Sequence, residues 1–158
     1  MPSFKREMPA SAGLEIATEL IQDLEQFGAT NISLAGSLRR KCPVIHDIDI
    51  VCIGDSLLVN KLSVDIVRLN RSMAGIIYKD IQADIFFAKP EGYGAALLYL
   101  TGSKNYNIRM RRHARIMGYK LNQYGLFSLS GKRVAGKTEE EIYKVLKLSY
   151  VQPSDRSI

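Results

Sequence analysis

The chain has 158 residues, 46% of them hydrophobic, and a formal net charge of +6. This length suffices for one compact domain or for two small lobes that share a core. The longest apolar stretch, Ala95 to Leu100, is far too short to cross a bilayer, and no signal-peptide pattern is present. These features exclude a membrane-spanning protein and favour a soluble, intracellular one.

The charge is distributed unevenly along the chain. Residues 92–138 carry nine basic and no acidic side chains, whereas residues 1–91 carry ten basic and twelve acidic ones. A long stretch without any carboxylate is typical of a surface that binds a polyanion. We expect a nucleic acid rather than a membrane surface, because the stretch lacks a long amphipathic helix with an exposed aromatic face.

Hydrophobic periodicity and turn residues divide the chain into alternating helices and strands. In order, we predict a helix over 11–27, strands over 31–35 and 47–53, a helix over 57–69, strands over 75–78 and 81–88, helices over 90–100 and 104–117, a hairpin sheet over 119–134 and a helix over 138–146. Lys89-Pro90 marks a boundary between two lobes.

Two short motifs lie close together, GSLRR at residues 36–40 and DID at residues 47–49. Because side chains alternate across a strand, Asp47 and Asp49 should point to one face. Adjacent carboxylates repel each other unless a cation lies between them, and oxygen ligands suit Mg²⁺ or Mn²⁺. The Gly36-Ser37 turn offers backbone N–H groups and a hydroxyl to phosphate oxygens. Together the motifs indicate phosphoryl or nucleotidyl transfer.

A third acid, Asp84, lies among apolar residues in the strand over 81–88. An ionised carboxylate in such surroundings is costly unless it is paired or bound to a metal, although at a sheet edge it could simply face water. We predict antiparallel pairing of strands 47–53 and 81–88, which would bring Asp84 to Asp47 and Asp49. Three carboxylates at one place could hold two divalent ions.

Two cysteines, Cys42 and Cys52, are too few for a disulfide framework. With His46 they could form part of a zinc site, but the sequence offers no convincing fourth ligand. We therefore expect both cysteines to be reduced structural thiols.

The spacing of GSLRR and DID resembles the signature of the nucleotidyltransferase superfamily, and the doubled arginine resembles the family X DNA polymerases within it. Four later stretches are similar to the same family: LLYLTGSKNYNIRMRRHA, YKLNQYGLF, GKTEEEIYKVL and YVQPSDRS. The resemblance covers nearly the whole chain. Longer members carry an N-terminal lyase lobe and helix-hairpin-helix segments, so the chain resembles the minimal palm-plus-thumb form of small viral repair polymerases.

The resemblance implies an α+β fold, with a nucleotidyltransferase palm over residues 1–90 that has a mixed or antiparallel sheet and two helices. A small helical-plus-hairpin thumb over residues 91–158 would bind nucleotide and DNA. The implied activity is template-directed addition of deoxynucleotides from their triphosphates to a primer 3′ end on primer-template or gapped DNA, in short-gap repair. We expect a monomer that uses two Mg²⁺ ions, with Mn²⁺ as a substitute.

The resemblance also implies roles for individual residues. The implied catalytic and metal-binding residues are Asp47, Asp49 and Asp84, with Asp84 accepting the proton of the primer 3′-hydroxyl. The implied nucleotide-binding residues are Gly36, Ser37, Arg40 and His46 near the phosphates, Tyr99 and Gly102 near the sugar, and Lys104 and Asn107 near the base. The implied DNA-binding residues are Arg111, which would reach the template strand, Arg115, Lys120 and Tyr124.

Four positions depart from the family's pattern. His46 replaces a glycine, which changes the expected backbone contact with the γ-phosphate. Gln82 replaces an arginine that usually pairs with the third acid, and Leu100 replaces an aromatic residue concerned with ribose rejection. Arg6 lies one residue from the place of a triphosphate-binding arginine. The family commonly has a cis peptide at the site of Gly102-Ser103.

Two alternatives remain open on the sequence. One is a different nucleotidyltransferase, either template-independent or acting on RNA or a small molecule, although Arg111 and the basic thumb argue against a small-molecule acceptor. The other is a non-catalytic module that binds DNA ends, which would have no need for three carboxylates facing a polyanion.

Overall fold

The structure is a computed structural model in which residues 6–157 are described. The helices are α1 (Ala10–Gln26), α2 (Gly36–Arg39), α3 (Tyr93–Thr101), α4 (Lys104–Ile116) and α5 (Glu139–Val145). The strands are β1 (Met8–Pro9), β2 (Thr30–Leu34), β3 (Val44–Ile45), β4 (Ile48–Ile53), β5 (Asp65–Leu69), β6 (Met73–Tyr78), β7 (Ile81–Ala88), β8 (Tyr119–Asn122), β9 (Gly125–Ser128) and β10 (Arg133–Ala135). Short 3₁₀ helices cover Ser56–Lys61, Pro90–Gly92 and Pro153–Asp155. The predicted α+β class is confirmed.

A five-stranded mixed sheet has the strand order β2-β4-β7-β6-β5. Its central pair, β4 and β7, is parallel, and the other neighbours are antiparallel. The predicted antiparallel pairing of strands 47–53 and 81–88 is therefore wrong. The tight turn at Lys79-Asp80, with φ of 49° and 66°, joins β6 to β7 as a hairpin. In this hairpin, β6 pairs with one edge of β7. The other edge of β7 pairs with β4, and the long connection from β4 to β7 lets the two strands run in the same direction.

The predicted helix over 57–69 is wrong for most of its length. Residues Ser56–Lys61 form a 3₁₀ helix, and β5 follows as the edge strand beside β6. Apolar residues at 58, 62, 66 and 69 fit a helical stripe, but they also fit a short turn followed by a strand. The β-branched pair Ile66 and Val67 and the backbone hydrogen bonds to β6 favour the strand.

The two faces of the five-stranded sheet have different partners. One face packs on α1, where Leu20 and Leu24 join Ile48, Ile50 and Ile85 in the largest core cluster. The opposite face carries the alternate residues of the same strands, and there Ala96 of α3 packs against Val51 and Phe86. Asp49 and Asp84 belong to this second face, because they alternate with residues of the first.

A second core lies in the C-terminal part of the chain. Helices α3, α4 and α5 enclose it with the three-stranded sheet β10-β9-β8. Helix α4 contributes Tyr106, Met110 and Ala114 to this core, where they recur at steps of four residues. In the described part of the chain, none of the helices combines the length and the apolar character needed to cross a membrane.

Candidate active site

Two of the three predicted acids are direct neighbours in the central sheet. Asp49 of β4 is paired with Asp84 of β7 in the parallel register, and residues paired in this way point to the same face. Adjacent strands are about 4.8 Å apart, so the two half-buried carboxylates lie side by side. The parallel arrangement thus places these acids together, although the predicted pairing was antiparallel.

Asp47 lies in the bend that precedes β4, two residues before Asp49, and is half-buried. Within residues 6–157, no group of three His, Cys, Asp or Glu side chains lies close enough to hold a metal ion by itself. The donor set nevertheless fits Mg²⁺, which is typically bound by one or two carboxylates together with waters and substrate phosphates. The adjacent oxygens of Asp49 and Asp84 meet that requirement.

Gly36 holds the start of α2 directly over Asp49. The backbone N–H of Ala35 donates to the carbonyl oxygen of Asp49 at 2.8 Å. A Cβ atom on Gly36 would lie 2.1 Å from Oδ2 of Asp49, and the φ of Gly36 is +57°. Both the contact and the positive φ therefore require glycine at this position. Ser37 follows Gly36 in the first turn of α2 and is half-buried.

The third acid has a neutral partner on its own strand. Gln82 is 7% exposed, and its Nε2 donates to Oδ1 of Asp84 at 3.0 Å. On the neighbouring strand, a Cβ atom on Gly75 would lie 3.1 Å from the same oxygen. The sequence predicted a weakened partner for Asp84 because glutamine replaces arginine, and the structure shows that the amide takes up the hydrogen bond without adding a charge.

Arg40 connects α2 with the end of α3. Its Nη1 donates to the carbonyl oxygen of Thr101 at 2.6 Å, and its Nε donates to Oγ of Ser157 at 3.2 Å. The same Nη1 would lie 3.2 Å from a Cβ atom on Gly102. The peptide bond between Gly102 and Ser103 is cis, as the resemblance implies. Two of the predicted nucleotide-binding residues, Arg40 and Gly102, are therefore in direct proximity.

A second set of predicted nucleotide-binding residues meets where α3 ends and α4 begins. Nδ2 of Asn107 donates to the carbonyl oxygen of Tyr99 at 2.7 Å. The Tyr99 side chain is 38% exposed, and Lys104, one turn before Asn107 on α4, is also exposed. Arg111 lines a small recess together with Tyr99 and Asn107, so it belongs spatially to this set.

His46 contacts the segment that precedes α1. Its ring is exposed, and Nε2 is 3.8 Å from Oε2 of Glu7, a contact that becomes an ion pair only when the histidine is protonated. The backbone carbonyl of His46 accepts a hydrogen bond from the N–H of Arg6 at 3.1 Å. This backbone bond fixes the segment that leads into Asp47.

The remaining predicted DNA-binding residues lie on the surface of the C-terminal part. Arg115 and Lys120 are exposed near the end of α4 and in β8. Tyr124 is at the tip of the β8–β9 hairpin, with its ring centroid 6.0 Å from that of Phe86 on β7. It borders a cleft of about 1210 Å³ whose lining includes Arg71, Lys89 and Arg133. The cleft runs between the five-stranded sheet and the hairpin.

Sequence reasoning missed a buried ionic cluster that joins the two cores. Glu139 is 3% exposed and accepts hydrogen bonds from Arg39 Nη1 and Nη2 at 2.8 and 2.7 Å and from Arg156 Nη1 at 2.7 Å. Burial by itself would raise the pKa of Glu139, but the hydrogen bonds from the two guanidinium groups outweigh burial and lower this pKa. The only sequence signal is an acid at the start of a helix, which is usually exposed.

The two cysteines are free thiols. Cys52 is buried in the core beneath the sheet, and burial raises the pKa of its thiol to about 12. Cys42 is half-buried, with Sγ 3.8 Å from Nη2 of Arg40. Free thiols agree with the expectation of reduced cysteines.

The chain is similar to known DNA polymerases over most of its length. The family model described as DNA polymerase beta thumb matches residues 96–157. The chain is 32% identical to a Repair DNA polymerase X of African swine fever virus, over 89% of this chain and 90% of that protein. The same protein from another isolate of the virus is 29% identical over the same shares. The DNA polymerase/3′-5′ exonuclease PolX of Bacillus subtilis is 27% identical over 94% of this chain and 28% of that protein.

Proposed function

This chain belongs to the family X DNA polymerases, and from that premise we propose that it adds deoxynucleotides to a primer 3′ end under template direction during short-gap DNA repair. The observation that carries the proposal is the direct pairing of Asp49 with Asp84 beneath Gly36. The relatives named as repair polymerases support the repair role.

We assign the metal-binding role to Asp47, Asp49 and Asp84. Two divalent ions, Mg²⁺ or in its place Mn²⁺, would lower the pKa of the attacking hydroxyl and neutralise the charge that develops on the leaving pyrophosphate. Asp84 accepts the proton of the primer 3′-hydroxyl in this assignment. Its orientation is held by the hydrogen bond from Gln82, so the accepting carboxylate need not reorganise during the reaction.

The residues around α2 are suited to bind the triphosphate. Gly36 lets the backbone approach closely, Ser37 offers a hydroxyl, and Arg40 offers a positive charge beside Gly102. Tyr99 and Gly102 would contact the sugar, and Lys104 and Asn107 the base. The hydrogen bond from Asn107 to the carbonyl of Tyr99 fixes the proposed base-binding residue relative to the proposed sugar-binding residue. The chain thereby contributes positioning and charge rather than a covalent intermediate.

The division into a palm over residues 1–90 and a thumb over residues 91–158 follows the two cores. DNA would be held by the basic thumb, through Arg111, Arg115, Lys120 and Tyr124, and by the cleft between sheet and hairpin. Because phosphate contacts dominate such binding, we expect weak, distributive and strongly salt-dependent association with primer-template.

The test is primer extension on DNA with a one-nucleotide gap, with each deoxynucleotide offered separately. We expect incorporation of the complementary nucleotide, and an Asp49→Asn variant should bind DNA at least as tightly but incorporate nothing, because one repulsive charge is removed. Extension that ignores the template would favour a template-independent transferase. Binding without any extension would favour a DNA-end-binding module and contradict the proposal.

A further inference from the structure

Four residues form a row across the sheet on the face that carries the acids. Asp49 pairs with Asp84, Asp84 pairs with Gly75 on β6, and Gly75 pairs with Arg68 on β5. Residues paired directly across neighbouring strands share one face. Arg68 therefore lies on the same face as the two carboxylates, one strand beyond the glycine.

Gly75 lets the acid and the arginine lie close to each other. A Cβ atom on Gly75 would lie 3.1 Å from Oδ1 of Asp84 and 3.8 Å from Cβ of Arg68. The carboxylate oxygen and the start of the arginine side chain are thus within about 7 Å of each other. Gly75 is itself buried, and a side chain at this position would crowd Oδ1 of Asp84.

Arg68 is available to a ligand. Its side chain is exposed, and none of the ion pairs among residues 6–157 includes it. By contrast, the guanidinium groups of Arg39 and Arg156 are bound by Glu139. The exposed guanidinium group of Arg68 can bind a negatively charged group of a ligand near the two carboxylates. A phosphate fits best, because its oxygens accept hydrogen bonds from the planar N–H groups of arginine.

The geometry of nucleotidyl transfer identifies that group, on the basis of the proposed function. In phosphoryl transfer, the attacking and leaving oxygens lie roughly in line. The triphosphate is assigned to Gly36, Ser37 and Arg40, on the Asp49 end of the row, and the attacking 3′-hydroxyl to Asp84. The primer strand must then continue from Asp84 away from the triphosphate, across Gly75 and toward Arg68.

We propose that Arg68 binds a phosphate of the primer strand next to its 3′ terminus. Arg68 is a positioning residue in this proposal, because it holds the primer without touching the reacting atoms. Its effect is to fix the 3′-hydroxyl relative to Asp84 through the backbone of the primer.

The test uses primers in which one of the three phosphates nearest the 3′ end is replaced by an uncharged methylphosphonate. For the wild type, we expect one position at which the replacement lowers kcat/KM about tenfold, the value of a charge-assisted hydrogen bond. The Arg68→Ala variant should show the same loss of kcat/KM with the unmodified primer, and a methylphosphonate at the sensitive position should lower its kcat/KM no further. The Arg68→Lys variant should recover part of the lost kcat/KM. If the loss caused by Arg68→Ala multiplies with the loss caused by the methylphosphonate at all three positions, the assignment is overturned.

The matched control is Lys79→Ala. Lys79 carries the same charge, but its Nζ pairs with Glu19 of α1 at 2.5 Å, on the opposite face of the sheet. We expect this variant to respond to each methylphosphonate as the wild type does. If Lys79→Ala responded to the methylphosphonates as Arg68→Ala does, the effect would come from net charge alone, and the proposal would be overturned.

DNA binding without nucleotide separates this inference from the proposed function. Removing one phosphate contact should lower the steepness of log K against log salt by about one in Arg68→Ala and leave it unchanged in Lys79→Ala. An inactive wild type with this change in slope contradicts the polymerase activity but supports the phosphate contact. An active wild type with an unchanged slope in Arg68→Ala overturns the inference alone.

Discussion

The guanidinium group of Arg156 donates two hydrogen bonds to the carboxylate of Glu139, at 2.7 and 3.3 Å, although both side chains are buried. Arg39 donates two more to the same carboxylate from the other core. Arg156 also lies 5.3 Å from the ring centroid of Tyr150, so aromatic contact supports its charge. The cluster therefore links α2 with α5 and the C-terminal segment.

Removal of Arg156 should destabilise the protein strongly. The Arg156→Ala variant leaves the buried Glu139 with a single cationic partner, and breaking a buried ion pair in this way costs about 3–5 kcal/mol. The free energy of unfolding, measured by urea denaturation, checks this value. Lys144→Ala, which removes an exposed charge from the same helix α5, should change the free energy of unfolding by less than about 0.5 kcal/mol.

The lowered pKa of Glu139 predicts a dependence of stability on pH. A group whose pKa is lower in the folded state contributes stability above its unfolded pKa of about 4.3, and this contribution disappears as the pH falls through the folded value. Between about pH 5 and pH 3, the wild type should therefore lose more unfolding free energy than Glu139→Gln, which has no proton to gain. Parallel curves for the two proteins would contradict the role of Glu139.

A methyl group at Gly36 should disable the acid pair. In Gly36→Ala, the new Cβ would fall 2.1 Å from Oδ2 of Asp49, so the carboxylate must move, and displacement by about 1 Å can cost about a hundredfold in rate. Single-turnover incorporation measures the loss. The control is Gly28→Ala, where φ is also positive, at +107°, but no atom lies within 4 Å, so it should retain the wild-type rate.

Arg111 and Arg115 should have different effects on catalysis and binding. Arg111 is half-buried and lines the recess with Tyr99 and Asn107, whereas Arg115 is exposed on the surface of α4. Arg111→Ala should lower the incorporation rate about tenfold while changing DNA affinity much less, because in the proposed function Arg111 reaches the template strand near the incoming nucleotide. Arg115→Ala should mainly weaken DNA binding. Equal losses in rate and affinity for Arg111→Ala would reduce Arg111 to a phosphate contact.

The class of fold was predicted from the resemblance of several motifs to a known family. The proximity of Asp49 to Asp84 was predicted because strand alternation and apolar surroundings constrain both acids locally. The sequence did not predict the parallel direction of β4 and β7, since direction depends on how the β6–β7 hairpin docks. It also missed β5, because the apolar residues between Leu58 and Leu69 fit two periodicities.

The buried role of Glu139 was equally inaccessible from local patterns. Three adjacent acids, Glu139 to Glu141, begin α5, and this arrangement ordinarily indicates an exposed first turn. Only the approach of Arg39 and Arg156, which are about 100 and 17 residues away in sequence, distinguishes Glu139 from its neighbours. Long-range ionic contacts of this kind have no signature in the spacing of residues.

The parallel pairing of β4 with β7 has a consequence for the order of folding. The β6–β7 hairpin needs only a tight turn, whereas the contact between Asp49 and Asp84 closes a loop of about 35 residues, at a much larger entropic cost. Local segments form faster than such distant contacts. We therefore expect Asp49 and Asp84 to come together late, after the hairpin has formed. In the proposed function, slow docking of this hairpin would delay activity even where most helices and turns are already in place.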